Sequence, residues 1–198
     1  MREFSVLTGG KAGEGIDRAT LILGHLLNRC GYRIYIYHDY PSLIRGGHTF
    51  SIIRATHARI GAHREKIDLL LALNGETIDL HQTRLNEDAL VIYDSDAVKA
   101  PVLSGQIRMM GLPIGTIVKE ENAHEVMRNI CMIGAFAKAI GVPMETLAKV
   151  ITDNFPKETA QNVKIAERGF AAAETARNIA PPAAEPLPLI SGSQAIGL

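Results

Sequence analysis

Apolar and polar positions along this chain change period several times, and each change marks an element. Phe4-Ser5-Val6-Leu7-Thr8 is a short apolar and β-branched run that predicts a buried first strand. From Ile16 the apolar residues move to helical spacing through Ala19, Leu23, Leu26 and Cys30, predicting a helix that Gly31 closes. Arg33 to Tyr37 predicts a second strand, ending at His38-Asp39, and Thr49 to Ala55 a third, with Arg59 to His63 as its hairpin return. Ile67 to Leu73 and Ala89 to Tyr93 predict the next two strands, with Asn74-Gly75 opening a short helix between them that reaches Leu85. From Val102 to Lys119 the pattern is interrupted by Gly105, Gly111, Pro113 and Gly115, which predicts short strands in a looser segment. Asn122 predicts an N-cap, and Val126, Ile130, Ile133, Ala137 and Ile140 then form a helical stripe up to Gly141. Pro143 opens another helix, ending near Asn154-Phe155-Pro156. The last one runs from about Lys157 to Asn178, with Val163, Ala166, Phe170 and Ala173 on one face.

Strands alternating with helices predict an α/β fold: a three-layer, Rossmann-like open sheet, mostly parallel, with helices on both faces and a helical C-terminal part. A chain of 198 residues holds one such domain with a sizeable core. Beyond it the composition changes. Residues 180–189 are a proline-rich, stiff connector, and 190–198 read as a strand and the opening turn of a helix, so the expected organisation is a domain over 1–179, a linker, and the truncated start of a second domain.

Charge and composition narrow the function. Lys plus Arg equals Asp plus Glu at 21 each, which gives no general attraction to nucleic acid or anionic membrane. Aromatic residues make up 5% and Trp is absent, against stacking platforms for single strands. No apolar run approaches the roughly 20 residues of a membrane span, and the expected location is cytoplasmic. Cys30 and Cys131 fall in predicted helices and read as reduced, buried thiols, Met127 and Met132 read as core, and the seven histidines show no zinc spacing.

Two stretches carry candidate chemistry. Gly9-Gly10-Lys11-Ala12-Gly13-Glu14-Gly15 joins the first strand to the first helix, where free amides and glycines suit an anion; the alternative is a tight turn that packs helix on strand. Its glycine spacing fails the dinucleotide fingerprint, and no Lys-Ser or Lys-Thr follows as a Walker loop requires. Asp39 stands about 20 residues on, where dinucleotide folds hold a ribose, but the failed spacing discounts it. The second stretch, Pro41-Ser42-Leu43-Ile44-Arg45-Gly46-Gly47-His48, sets Arg45, a bidentate donor, before a glycine pair. If both loops leave the carboxyl ends of neighbouring parallel strands they line one crevice. Alternatively Arg45 pairs with Asp39 and pins its own loop.

Together these two motifs resemble the gamma domain of 2-oxoacid:ferredoxin oxidoreductases, the thiamine-diphosphate and iron–sulfur enzymes that oxidise pyruvate, 2-oxoglutarate and related acids. The resemblance covers about residues 3 to 178. Ile190-Ser191-Gly192-Ser193-Gln194-Ala195-Ile196 is similar to the Ser-Gly-Asn-Glu-Ala opening of the alpha domain, departing from it at Ser193 and Gln194. A gamma domain leading into an alpha domain implies the 2-oxoglutarate type.

The resemblance implies a part of an enzyme, inactive alone. It places no catalytic residue and no metal in this chain, with thiamine diphosphate, magnesium and iron–sulfur clusters in partner domains. It implies alpha and beta partners, ferredoxin reached through the complex, and self-association. It also implies a contribution to coenzyme A binding, for which the expected residues are Gly9, Gly10, Lys11, Gly13, Gly15, Ser42, Arg45, Gly46 and Gly47. The rival readings are a structural assembly module without a ligand and an atypical NAD- or FAD-binding oxidoreductase domain.

Overall fold

The computed structural model describes residues 1–39, 47–99, 102–154, 158–179 and 185–196. Six strands form one sheet: β1 (Glu3–Lys11), β2 (Arg33–Asp39), β3 (His48–Thr56), β4 (Ile67–Ala72), β5 (Leu85–Asp94) and β6 (Arg108–Leu112). Their order is β2-β3-β1-β4-β5-β6. The pairs β1–β4, β4–β5 and β5–β6 are parallel, and β3 runs antiparallel to both of its neighbours. The mostly parallel α/β sheet expected from the alternation of elements is therefore present, with β3 as the exception.

The helices are α1 (Ile16–Arg29), α2 (Gly75–His81), α3 (Ile114–Glu120), α4 (Arg128–Ala139), α5 (Met144–Asn154), α6 (Thr159–Ala172) and α7 (Gly192–Ile196). The first helix forms as its stripe requires: Ile16, Ala19, Leu23 and Leu26 are buried against Phe4, Val6, Ile53 and Ala55 of the sheet. That face also takes α3, α4, α5 and α6. The opposite face, with Leu7, Ile52, Leu70 and Val91, is covered by Ile78 of α2 and by Val98, Leu103 and Ile107 of the β5–β6 connection. Because β1 and β4 are covered on both faces they read as nearly continuous apolar runs, whereas edge strand β2 alternates half-buried with exposed.

Several sequence expectations give way to tertiary context. Residues 59–63 form no return strand, because both edges of β3 are already paired, with β1 and β2. Pro113 and Gly115 do not interrupt strands. Pro113 precedes α3, where a missing N–H costs nothing, and Asp96 Oδ2 accepts the Thr116 amide at 2.6 Å. Asn122 is no N-cap; it closes α3 with φ at 50°, a conformation asparagine tolerates, and its N–H donates to Lys119 O at 3.0 Å. Val126 is exposed and precedes α4.

The last long helix stops at Ala172 rather than Asn178. Residues 173–179 run out as a non-helical segment whose amides Ala176 and Arg177 donate to Ala139 O at 2.9 and 2.8 Å, and Ile179 to Ile140 O at 3.1 Å. They satisfy carbonyls at the end of α4 that have no partner within that helix. After the connector, Ser191 and Gln194 exchange hydrogen bonds, Gln194 N to Ser191 Oγ at 3.2 Å and Ser191 N to Gln194 Oε1 at 2.8 Å, a capping box that opens α7.

Candidate functional site

In an open α/β sheet the crevice forms where consecutive connections diverge. Here β1 leads through α1 towards β2 on one side, and β4 leads through α2 to β5 on the other. The carboxyl ends of β1 and β4 flank that divergence, and the glycine stretch sits on it.

The stretch is shorter as a loop than the sequence implies. Gly9, Gly10 and Lys11 continue β1, opposite Phe50, Thr49 and His48 of β3. Only 12–15 turn, and Gly15 adopts φ 75° so that the chain can enter α1, a conformation that strains other residues. The turn is closed by Glu14 N donating to Lys11 O at 3.0 Å, and reciprocally the Glu14 carboxylate Oε2 accepts the Lys11 amide at 2.7 Å. A Cβ added to Gly10 would stand 2.4 Å from that oxygen, so glycine is what lets the carboxylate lie against the strand.

The two stretches do not leave neighbouring strands, because β3 lies between β1 and β2. They nevertheless meet: the Ala12 amide donates to Gly47 O at 2.8 Å. Ser42, Arg45 and Gly46, and with them the alternative Arg45–Asp39 pair, lie outside the described residues.

Arg128, at the start of α4, was not anticipated, and it organises the other side of the crevice. Its Nε and Nη2 both donate to Asp94 Oδ2, at 2.9 and 2.6 Å, and Nη2 also reaches Leu73 O at 3.0 Å. Asp94 is fully buried at the end of β5, and its Oδ1 accepts the Asp96 amide at 3.0 Å. One guanidinium thus ties together the ends of β4 and β5. Asn129, next to it, donates from Nδ2 to Glu14 O at 3.0 Å and Gly15 O at 3.2 Å, holding the glycine turn to α4. The cleft between turn and helix, about 330 Å³, is lined by Lys11, Ala12, Gly13, Glu14, Leu73, Glu125, Val126 and Arg128. The sequence signal was available: an acid closing a strand and an Arg-Asn pair opening a helix are polar residues at the edge of apolar runs.

On the other face, His48 Nε2 and His81 Nε2 are 3.0 Å apart, and Arg84 Nη1 lies 3.4 Å from His81 Nδ1. A guanidinium only donates, so His81 Nδ1 accepts, His81 Nε2–H donates to His48, and His48 Nδ1 carries a proton. That Nδ1 is buried and has no partner among the described residues, and the same holds for Asn74 Nδ2 nearby on the N-cap of α2. Burial pushes His81 down to about 4, helped by His48 and Arg84; burial also lowers His48, against Glu76 and Asp39. Among the described residues no group of three or more His, Cys, Asp or Glu could hold a metal ion, and no helix is long and apolar enough to cross a membrane. Burial raises the Cys30 and Cys131 thiols to about 11 and about 12.

The sequence profile described as pyruvate ferredoxin/flavodoxin oxidoreductase matches residues 5–172. The chain belongs to this family. Within it, the 2-oxoacid:ferredoxin oxidoreductase subunit alpha of Sulfolobus sp is 36% identical over 174 residues, covering 81% of this chain and 26% of that protein. The chain therefore spans about a quarter of the length of that relative. The 2-oxoglutarate synthase subunit KorC of Archaeoglobus fulgidus is 26% identical, with 85% of this chain and 87% of that protein covered. The family domain thus occurs both inside a long chain and as a subunit of similar length.

Two solved structures share the fold. A 2-oxoglutarate:ferredoxin oxidoreductase from Magnetococcus marinus, solved with 2-oxoglutarate, coenzyme A and succinyl-CoA bound, superposes with a TM-score of 0.84 at 22% identity, over 94% of this chain and 34% of that one. The gamma subunit of a keto/oxoacid ferredoxin oxidoreductase from Geobacter sulfurreducens gives 0.75 at 24% identity, over 86% and 95%.

Proposed function

We propose that this chain is the gamma domain of a 2-oxoacid:ferredoxin oxidoreductase, a supporting part of an assembly that oxidatively decarboxylates a 2-oxoacid to its acyl-CoA and passes electrons to ferredoxin. The observation that carries the reading is the near full-length match to a free-standing subunit of a 2-oxoglutarate synthase. The same relative and the Magnetococcus enzyme favour 2-oxoglutarate over pyruvate. In this reading residues 1–179 are the gamma domain, 180–189 the linker and 190–198 the opening of an alpha domain; the capping box at Ser191 and Gln194 supports a helix start there. Alpha and beta partners hold thiamine diphosphate, magnesium and the iron–sulfur clusters, the assembly works in the cytoplasm, and the domain faces left bare without those partners favour self-association.

Gly9, Gly10, Lys11, Gly13 and Gly15, with Ser42, Arg45, Gly46 and Gly47, are the residues assigned to coenzyme A in this reading. Coenzyme A supplies the thiol that accepts the acyl group, and its phosphates are what these residues would hold. The Ala12–Gly47 hydrogen bond supports the pairing of the two stretches, and the Glu14 carboxylate on the Lys11 amide supports an oxyanion position at the turn. That same contact favours the second reading, an assembly module whose turn is already satisfied.

The test is the complex of this chain with its thiamine-binding partners, assayed for coenzyme A-dependent dye reduction with 2-oxoglutarate and with pyruvate. Arg45→Ala raises the KM for coenzyme A about ten- to a hundredfold, the range of a hydrogen bond to a charged group. An unchanged KM beside a lowered Tm supports the assembly module, and a complex that oxidises no 2-oxoacid overturns the proposal.

A further inference from the structure

Glu14 lies where an anion bound by the glycine turn would lie. Its Oε2 accepts the Lys11 amide at 2.7 Å and sits against Gly10, whose missing side chain makes the room. Its Oε1 faces Arg128 Nη1 at 3.6 Å, beyond hydrogen-bond length.

Arg128 supplies an independent observation. Its side chain is 12% exposed, and two of its three nitrogens are committed to Asp94 and Leu73. The third, Nη1, approaches only the Glu14 and Glu125 carboxylates among the described residues, both at 3.6 Å. It is a donor turned to the solvent-accessible cleft that Lys11, Gly13 and Glu14 line, ion-paired with two carboxylates and hydrogen-bonded to neither. A guanidinium holds an oxyanion at bonding distance by a charge-assisted hydrogen bond stronger than one to water, so an oxyanion closer than Glu14 gains that bond at Nη1.

The charges decide what such an oxyanion can be. Arg128 and Asp94 offset each other, and the Glu125 side chain is 88% exposed and solvated. Lys11 and Glu14 then balance. A ligand group with one negative charge replaces the Glu14 carboxylate without changing this sum, whereas one with two charges adds an anion beside Asp94 and Glu125. Each phosphoryl of a pyrophosphate diester carries one charge, as does a carboxylate.

We propose that Glu14 is the exchangeable occupant of an oxyanion site made by the Lys11 amide and Arg128 Nη1, and that a singly charged oxyanion of a ligand binds by displacing it. The Glu14 side chain is 25% exposed at the mouth of the cleft, so it can swing to solvent without disturbing the core. This inference rests on the reading of the glycine turn as ligand-facing.

Calorimetric titration of the full chain tests it, with coenzyme A for the phosphate diester, acetate for the carboxylate and inorganic pyrophosphate as the multiply charged control. The proteins are wild type, Glu14→Ala, Glu14→Gln and Lys11→Ala, each checked for folding by its thermal transition. Glu14→Ala binds coenzyme A at least tenfold more tightly than wild type, Glu14→Gln falls between them because it keeps the acceptor without the charge, and pyrophosphate binds wild type more weakly than coenzyme A does. A gain with acetate equal to that with coenzyme A assigns the site to carboxylates. If coenzyme A binds and Lys11→Ala weakens it while Glu14→Ala leaves it unchanged, the exchange is overturned and the ligand-facing turn stands. If no probe binds any variant, both are overturned.

Discussion

Gly134 of α4 and Gly169 of α6 sit in each other's backbones: a Cβ on Gly134 would stand 2.0 Å from Ala166 O, and one on Gly169 would stand 2.0 Å from Cys131 O. The two helices cross with main chain against main chain, at a place where neither can carry a methyl group. Alanine at either position gains about 1 kcal/mol of helix propensity, but the collision forces the helices apart. Gly134→Ala and Gly169→Ala therefore each lose about 1–3 kcal/mol or more in urea unfolding, the cost of overpacking. A variant as stable as wild type would mean the crossing is looser than this.

The Asp94–Arg128 pair tests how the crevice is held. Asp94 is fully buried and Arg128 nearly so, so removing one partner strands a charge in the interior. Asp94→Ala costs about 3–5 kcal/mol, whereas a double replacement by apolar residues of matching volume recovers much of it. A double-mutant cycle on urea midpoints measures the coupling, and a coupling near zero would move the burden to Leu73 and Asn129.

The His81 ring gives the fold a pH dependence with a definite sign. Its folded value is about 4 against an ordinary 6.5, so between these the unfolded chain binds more protons than the folded one. Stability is complete above about 6.5 and falls as pH drops through that window, by at most about 3 kcal/mol from this ring. Protonation would also break the Arg84–His81 contact, since the new proton on His81 Nδ1 faces a guanidinium that cannot accept it, while Nε2–H still donates to His48. His81→Gln flattens this part of the profile. An unchanged slope would assign it to carboxylates instead.

Asn74 caps α2 with Oδ1, which accepts Thr77 N at 3.0 Å, while its Nδ2 is buried without a partner among the described residues. Asn74→Ala loses about 1 kcal/mol with the cap. Asn74→Asp keeps the acceptor and discards the unpaired donor, and its Tm equals or exceeds that of wild type. A loss as large as that of the alanine variant would show that Nδ2 has a use in the folded chain.

The periodic parts of this architecture were legible and the conditional parts were not. The stripes of α1 and α4 and the apolar runs of β1, β4 and β5 follow from local pattern, and the cap at Asn74 from local chemistry. The start of α3 was hidden because its capping acid, Asp96, is 20 residues away in sequence. The end of α6 was hidden because the acceptors that pull residues 173–179 out of the helix belong to α4. The glycine stretch was legible as a turn, and of the second stretch Gly47 meets it through the Ala12 amide. Arg128 was missed because its role depends on Asp94 and Glu14, brought beside it only by the fold.

The strand order carries a consequence for synthesis. β1 is made first yet lies inside the sheet, with β3 on one edge and β4 on the other. As the chain leaves the ribosome, β1 cannot fill both rows of hydrogen bonds until Ile67–Ala72 has emerged. Until then a strand apolar on both sides waits with an open edge, the condition in which nascent chains pair wrongly or recruit chaperones. The antiparallel insertion of β3 shortens that wait on one side, because its residues arrive before those of β4.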